Sequence, residues 1–284
     1  YYFTVQIFSL KIILIKMSLK FYKPVTPSLR HSITSNFKIL NKNPLLKSKI
    51  VGFKNSSGRN NQGKITVYGK GCGHKKKYRK LEFVNHFTKG IVTSIEYDPC
   101  RTAYIASVYS MSQQLFFYTL APLNLKVGNL IECGINAKIK LGNRLPLENI
   151  PVGSFVHNID VNSNYQIAKA AGAFAILLEK TSKFCKIKLR SGEQRLILPK
   201  SYATLGIVSN EFKFLTSLGK AGRARWKNQK PTVRGVAMNP IDHPHGGGEG
   251  KKSGKAASLS PWGKSYKNKS TSNSVCRFVI QKRK

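Results

Sequence analysis

Of the 284 residues, 49 are Lys or Arg and only 11 are Asp or Glu, a formal net charge of +38. That imbalance limits what the chain can form by itself, because like charges repel across a compact fold until a polyanion neutralises them. The charge is also unevenly placed. Residues 1–90 carry 19 cationic side chains against Glu82 alone, residues 91–212 carry 13 against eight acids, and residues 213–284 carry 17 against Asp242 and Glu249. A nearly balanced centre therefore lies between two cationic arms. Their partner must be nucleic acid, an anionic membrane surface or acidic protein. A membrane surface calls for a basic amphipathic helix. Both arms are instead rich in Gly, Asn, Ser and Pro, which disfavour helix. Nucleic acid is the favoured partner.

The first sixteen residues, "YYFTVQIFSLKIILIK", are apolar, but Lys11 and Lys16 interrupt them. A membrane span needs about 20 apolar residues, so no membrane insertion is expected. The segment fits a targeting peptide, although it lacks the arginines usual in organellar presequences. It equally fits translation from a non-standard start upstream of Met17. Lys (37) far outnumbers Arg (12), and Ile, Asn, Phe and Tyr are frequent. All have AT-rich codons, which points to an organellar genome. Cys72, Cys100, Cys133, Cys185 and Cys276 are scattered, with no C-x-x-C pair. Such spacing argues for thiols in a reducing compartment rather than a disulfide framework or zinc ribbon.

From Phe21 to Gly63 the chain holds turn-formers and cations with no sustained period, so residues 21–74 read as a basic extended arm. From Ile65 short apolar runs recur, among them "KITVYG", "IVTSIEYDP", "TAYIASVYS", "QQLFFYTLAP", "FAILLEK" and "FCKIKLRS". Their spacing and their Ile, Val, Tyr and Phe content predict antiparallel strands in small barrels or a sandwich. The Gly/Pro-rich seam "KIKLGNRLPLENIPVG" (138–153) divides the region into barrels at 75–140 and 145–212. "YQIAKAAGAFA" reads as a turn into a strand at Gly172. "SNEFKFLTSLGKAG" reads as a short helix with Ser209 or Asn210 as cap and Gly219 as terminator. Residues 213–284 then form the second basic extension.

In that extension, Lys220, Arg223, Arg225, Lys227, Lys230 and Arg234 surround Trp226. Cations neutralise phosphates, and an aromatic or guanidinium plane stacks on an unpaired base. Further on, "MNPIDHPHGGGEG" (238–250) looks like an active site. As a metal site, His243 and His245 with Glu249 are poorly placed, since Pro244 extends the backbone between the two imidazoles. As a hydrolase site, Asp242 and His243 lack a nucleophile on a strand–turn–helix elbow. Gly246, Gly247 and Gly248 lack the ending of a phosphate-binding P-loop. Glycines here let backbone approach phosphate closely, which suits threading between RNA backbones without catalysis.

These residues, "GKAGRARW…PTVRGVAMNPIDHPHGGGEG", closely resemble the signature of the universal large-subunit ribosomal protein two family. "KPVTPSLRH", "SSGRNNQGKIT", "GCGHKKKYR", "EYDPCRTAYIA", "LPLENIPVGSFVHNI" and "SPWGK" follow in the family's order, leaving only the first 16–20 residues unmatched. The resemblance implies an all-β core, an OB-fold followed by an SH3-like barrel, with both arms in large-subunit rRNA. It implies rRNA contacts at Arg59, His74, Lys75 and Arg79, and at Arg101, the arginine after "YDP-x". The family's second arginine falls near Lys169, which keeps the charge but loses the planar fork. In the C-terminal extension it implies contacts at Arg223, Arg225, Trp226, Arg234, His243, His245, Lys251 and Lys252.

Asp242, His243 and Gly246–Gly248 would then lie near the peptidyl-transferase centre, with His243 a structural contact because that centre is RNA. Neighbouring ribosomal proteins and the small subunit are further implied partners, with no cofactor beyond Mg2+ of the rRNA. The lysine-rich composition leans toward a mitochondrial ribosome, ahead of a chloroplast one. Two other classes are weighed against this reading. A free OB-fold single-strand binder would not co-migrate with large subunits. An enzyme using His243 would need a preorganised pocket, which the glycines argue against.

Overall fold

The computed structural model describes residues 18–82, 89–162, 165–249, 257–265 and 278–282. The expectations for residues 1–17, Lys251 and Lys252 lie outside them. The chain divides into two units, one holding most of the residues up to 223 and the other built from 55–74 with 224–276.

In the first unit the N-terminal arm is more ordered than its composition predicts. Strand β1 (Leu19–Phe21) pairs antiparallel with β2 (Ile33–Ser35) around a short helix α1 (Pro27–Arg30). Pro27 opens that helix, where the missing N–H has no intrahelical partner to lose. Strand β3 (Ile50–Phe53) pairs with β4 (Lys76–Arg79), so the segment between leaves and rejoins one ladder. The expectation of an extended arm over 21–74 is corrected to that extent. The β-branched residues at Ile33, Ile50 and Val51 find strand partners that local periodicity does not reveal.

The OB-type sheet follows, with strands β5 (Lys89–Glu96), β6 (Ile105–Ser110), β7 (Phe116–Leu120) and β8 (Leu130–Glu132) in the order β7-β6-β5-β8. Its core is Val92, Ala106, Val108, Phe117, Leu125 and Ile131. Strand β5 buries the face bearing Val92, Ser94 and Glu96 and leaves Ile91 and Ile95 partly covered. A buried carboxylate needs donors, and Glu96 has three. Leu45 N–H lies at 2.9 Å, Ser94 Oγ at 3.0 Å and Tyr118 Oη at 2.9 Å. Tyr118 Oη in turn accepts Leu46 N–H at 3.0 Å. Burial pushes the Tyr118 phenol up to about 12, with the Leu46 bond opposing and Glu96 adding to the rise. This knot fixes the arm to the sheet.

The second barrel opens with β9 (Arg144–Pro146), which lies in the seam expected to separate the barrels. Leu145, Leu147 and Ile150 of that seam are almost fully buried and belong to the second core. Strands β10 (Phe155–His157), β11 (Ile159–Asn162), β12 (Tyr165–Ile167), β13 (Ala175–Lys180), β14 (Cys185–Leu189), β15 (Gln194–Ile197) and β16 (Tyr202–Leu205) complete it. A last strand, β17 (Val279–Gln281), gives the sheet order β17-β15-β14-β13-β10-β16-β9, with β11 and β12 paired apart. The C-terminal extension is therefore not extended throughout. Its "FVIQ" run edges the SH3-like sheet, with Arg195 opposite Val279.

The helix expected after Ser209 is corrected to a single 3-10 turn, Glu211–Leu215. Asn210 stands at its N-cap position, but neither expected side chain caps it. Ser209 Oγ accepts Tyr104 N–H at 3.0 Å, and Asn210, at φ 62, donates its side-chain amide to Thr102 O at 2.7 Å. Both side chains are used to join the two barrels, alongside an apolar contact of Ala103, Leu120 and Val208.

His157 sits at the centre of the second barrel with no exposed surface, its Nδ1 2.9 Å from Gly206 O. Burial pushes its pKa down to about 4, the Gly206 bond opposes that shift, and Arg144 adds to it. The unfolded chain takes up a proton near pH 6.5, whereas the folded chain does not until about pH 4. The stability this residue contributes is thus whole above pH 6.5 and is lost as pH falls toward 4, about 3 kcal/mol in all. Urea melts of wild type and His157→Gln across that window are expected to diverge, with the variant much flatter. Parallel curves would rule the effect out.

Candidate nucleic-acid interface

The expected contact residues fall in both units. In the first unit, Lys75 is exposed beside β4 and Arg79 ends that strand. Arg101 is held in place by the protein. Its Nε donates to the fully buried Asp98 carboxylate at 2.6 Å, one Nη reaches Arg79 O at 3.5 Å, and the guanidinium lies 5.7 Å from the Tyr78 ring centroid. Two of its five N–H donors are thereby committed, which orients the remainder. Lys169 is close enough to feel Arg101. Burial first, and then repulsion by Arg101, lower its pKa, while Asp160 opposes the shift. Packing like charges together raises the folded chain's energy, and a phosphate would relieve it.

Arg144 and Asp160 form a largely buried ion pair, and Asp160 is near enough to Lys169 to offset part of its charge. Arg144 Nη2 meets Asp160 Oδ2 at 2.5 Å and Nη1 donates to Asn158 O at 3.3 Å, with the arginine side chain 2 % exposed. Arg223 is also engaged internally, donating to Leu218 O and to Ser32 Oγ. It stands in helix α2 (Ala221–Trp226), which forms within the segment read as the second basic extension.

The second unit joins pieces of the two cationic arms that are about 150 residues apart in the chain. Backbone bonds link them: Gly71 N–H to Asn228 O, His74 N–H to Trp226 O, and Lys230 N–H to Gly69 O, at 2.8–3.0 Å. Arg59, Arg225 and Trp226 are exposed here. His74 is likewise exposed, and Arg234 precedes a 3-10 turn, Gly235–Ala237.

The histidine-glycine loop belongs to this unit and closes on itself. Asp242 and His243 N–H both return to Asn239 O, and Gly246 N–H returns to His243 O. The His243 ring is buried, 8 % exposed, and Nδ1 accepts His245 N–H at 3.0 Å. The ring proton therefore sits on Nε2. Gly235 and Gly246 make the closure feasible. A Cβ on the first would lie 2.4 Å from His243 Nδ1, and one on the second 2.2 Å from Asn239 O. Gly247 and Gly248 continue at positive φ. His245 Nε2 lies 3.2 Å from Leu259 N and 2.8 Å from Ala257 O, and serves one or the other by tautomer. Asp242 is exposed, so it does not form a buried acid–imidazole pair with His243. The geometry is that of a shaped surface loop.

Asp98 and Asp160, the carboxylates that hold Arg101 and Arg144, were not among the expected site residues. Only Asp98 left a local trace, three residues before Arg101.

The family described as "Ribosomal Proteins L2, RNA binding N-terminal domain" matches residues 46–133, and its C-terminal counterpart matches residues 140–263. The chain is 49% identical to large ribosomal subunit protein uL2m of Reclinomonas americana over 251 residues, 87% of this chain and 90% of that one. It is 47% identical to large ribosomal subunit protein uL2 of Wolbachia sp. subsp. Drosophila simulans (strain wRi), over 90% of this chain and 94% of the relative. The Wolbachia pipientis wMel protein of the same name is 46% identical over 258 residues.

Proposed function

Since the chain belongs to the ribosomal protein L2 family, we propose that it serves a mitochondrial ribosome, where it braces the peptidyl-transferase region and the subunit interface without taking part in chemistry. As a member of that family it is a structural, rRNA-binding protein of the large subunit, with neighbouring ribosomal proteins as partners. Among the described residues no helix is long and apolar enough to cross a membrane. The uL2m relative and the lysine-rich composition support the mitochondrial assignment. The small subunit is a proposed partner, and Mg2+ enters only as an ion of the rRNA.

The observation that carries the non-catalytic role is the use of His243 Nδ1 inside the loop. A general base needs a lone pair aimed at substrate. Here that lone pair holds the His245 N–H, and the ring face is covered by Gly235. The rRNA supplies the chemistry, and the loop fills the space between its backbones.

Large subunits assembled with His243→Gln and purified as intact particles are expected to form peptide bonds within about twofold of the wild-type rate, whereas loss of a general acid–base typically costs about 10²–10⁴-fold. A fall of that size in intact particles would overturn the proposal. Sedimentation of a mitochondrial lysate in magnesium checks the compartment, with the chain expected at the large-subunit peak after a moderate salt wash.

A further inference from the structure

In the second unit, residues of the two cationic arms enclose a cavity of about 460 Å³. Arg59 and Cys72 come from the N-terminal piece, and Arg225, Trp226, Gln229 and Lys230 from the C-terminal piece. The volume lies within the roughly 300–1,000 Å³ of small-ligand pockets. Its chemistry is one-sided. Three cations line it and no carboxylate does, so its field selects an anion. Trp226, in its lining, is 57 % exposed and presents a large apolar ring. Gln229 adds an amide that both donates and accepts. The backbone groups that could have closed the space are already committed, since Asn228 O and Trp226 O hold the N–H groups of Gly71 and His74.

We propose that this cavity receives a single unstacked nucleotide of the rRNA, its base against Trp226 and its phosphate among Arg59, Arg225 and Lys230. The inference rests on the rRNA-binding role and adds a specific subsite to it. A double-helical backbone would be met by cations alone and would have no use for an aromatic wall. An extruded base requires one, and stacking on an aromatic side chain together with cationic neutralisation of the adjoining phosphate is how single-stranded bases are held. A one-nucleotide pocket would also fix the relative register of rRNA and protein at this point. Because both arms build the pocket, it forms only once they have come together.

The test uses large subunits assembled with the full-length chain, probed with dimethyl sulfate and by ultraviolet crosslinking. In wild-type particles the peptide bearing Trp226 is expected to carry a crosslink to one unpaired nucleotide. In particles that retain the chain, Trp226→Ala is expected to make that base react severalfold more strongly. Trp226→Phe, which keeps a stacking face, is expected to restore protection. Lack of any crosslink at that peptide, or a reactivity map unchanged by Trp226→Ala, would overturn the pocket and leave the rRNA-binding role intact. If the wild-type chain itself failed to sediment with large subunits, the family-based role would fail instead. Should Trp226→Ala prevent incorporation, the wild-type crosslink and the Trp226→Phe map decide.

Discussion

Raising the salt from about 50 to 200 mM should weaken binding of the full chain to naked large-subunit rRNA by about 10⁴–10⁵-fold. The reason lies in the charge map. The 36 cations of the two arms, against three acids, must meet phosphates whose condensed counterions are released on binding. If about ten phosphates are neutralised, log K falls against log salt with a slope of about −7 to −9. Filter binding over that range measures it directly. A slope shallower than about −3 would mean that few phosphates are contacted, and recognition would then rest on bases and shape. Some expected cations should contribute little to the slope. Arg223 is tied to Ser32 and Leu218, and Arg101 is partly held by Asp98, so substitutions there are expected to act through folding as well as charge.

Asp160→Ala should cost the second barrel about 3–5 kcal/mol, the usual penalty for leaving a buried charge without its partner. Arg144 is almost fully buried, and its charge is answered by Asp160. The same carboxylate also offsets the charge at Lys169, which Arg101 repels. Removing it takes that carboxylate from both Arg144 and Lys169, while Arg101 keeps Asp98. Against a total stability of about 5–15 kcal/mol for a typical domain, that loss is enough to unfold much of the population. Adding Arg144→Met to Asp160→Ala should recover a good part of it, because an apolar side chain needs no counter-charge. Urea midpoints of the three chains measure both effects. If the single and double variants lose equally, the ion pair is not the cause, and packing at Asp160 is.

The sequence carried the β class, the two-barrel arrangement and the family motif, because alternation, turn residues and motif spacing are local properties. It carried the site less completely. Arg225 and Trp226, expected to meet RNA by charge and type, and Arg59, expected to do so from the family resemblance, all stand exposed. The expected helix at 209–219 failed because Ser209 and Asn210, good caps by composition, are taken by Tyr104 and Thr102 more than a hundred residues earlier. "FVIQ" near the C-terminus was passed over because a three-residue strand carries no signal until β15 supplies its partner.

What the sequence settled by itself is the sign of the partner: a chain with this excess of cations binds a polyanion, and its motifs name the family. Charge is additive along a chain, so no structure is needed to sum it. Only the tertiary structure decided which charged groups remain available. Glu96 is satisfied by Leu45, Ser94 and Tyr118, Arg223 reaches Ser32 across 191 positions, and Arg59 faces Arg225 and Trp226 around one cavity. Hydrogen bonds and burial depend on groups that meet only after the chain folds, and local sequence holds no record of those distances.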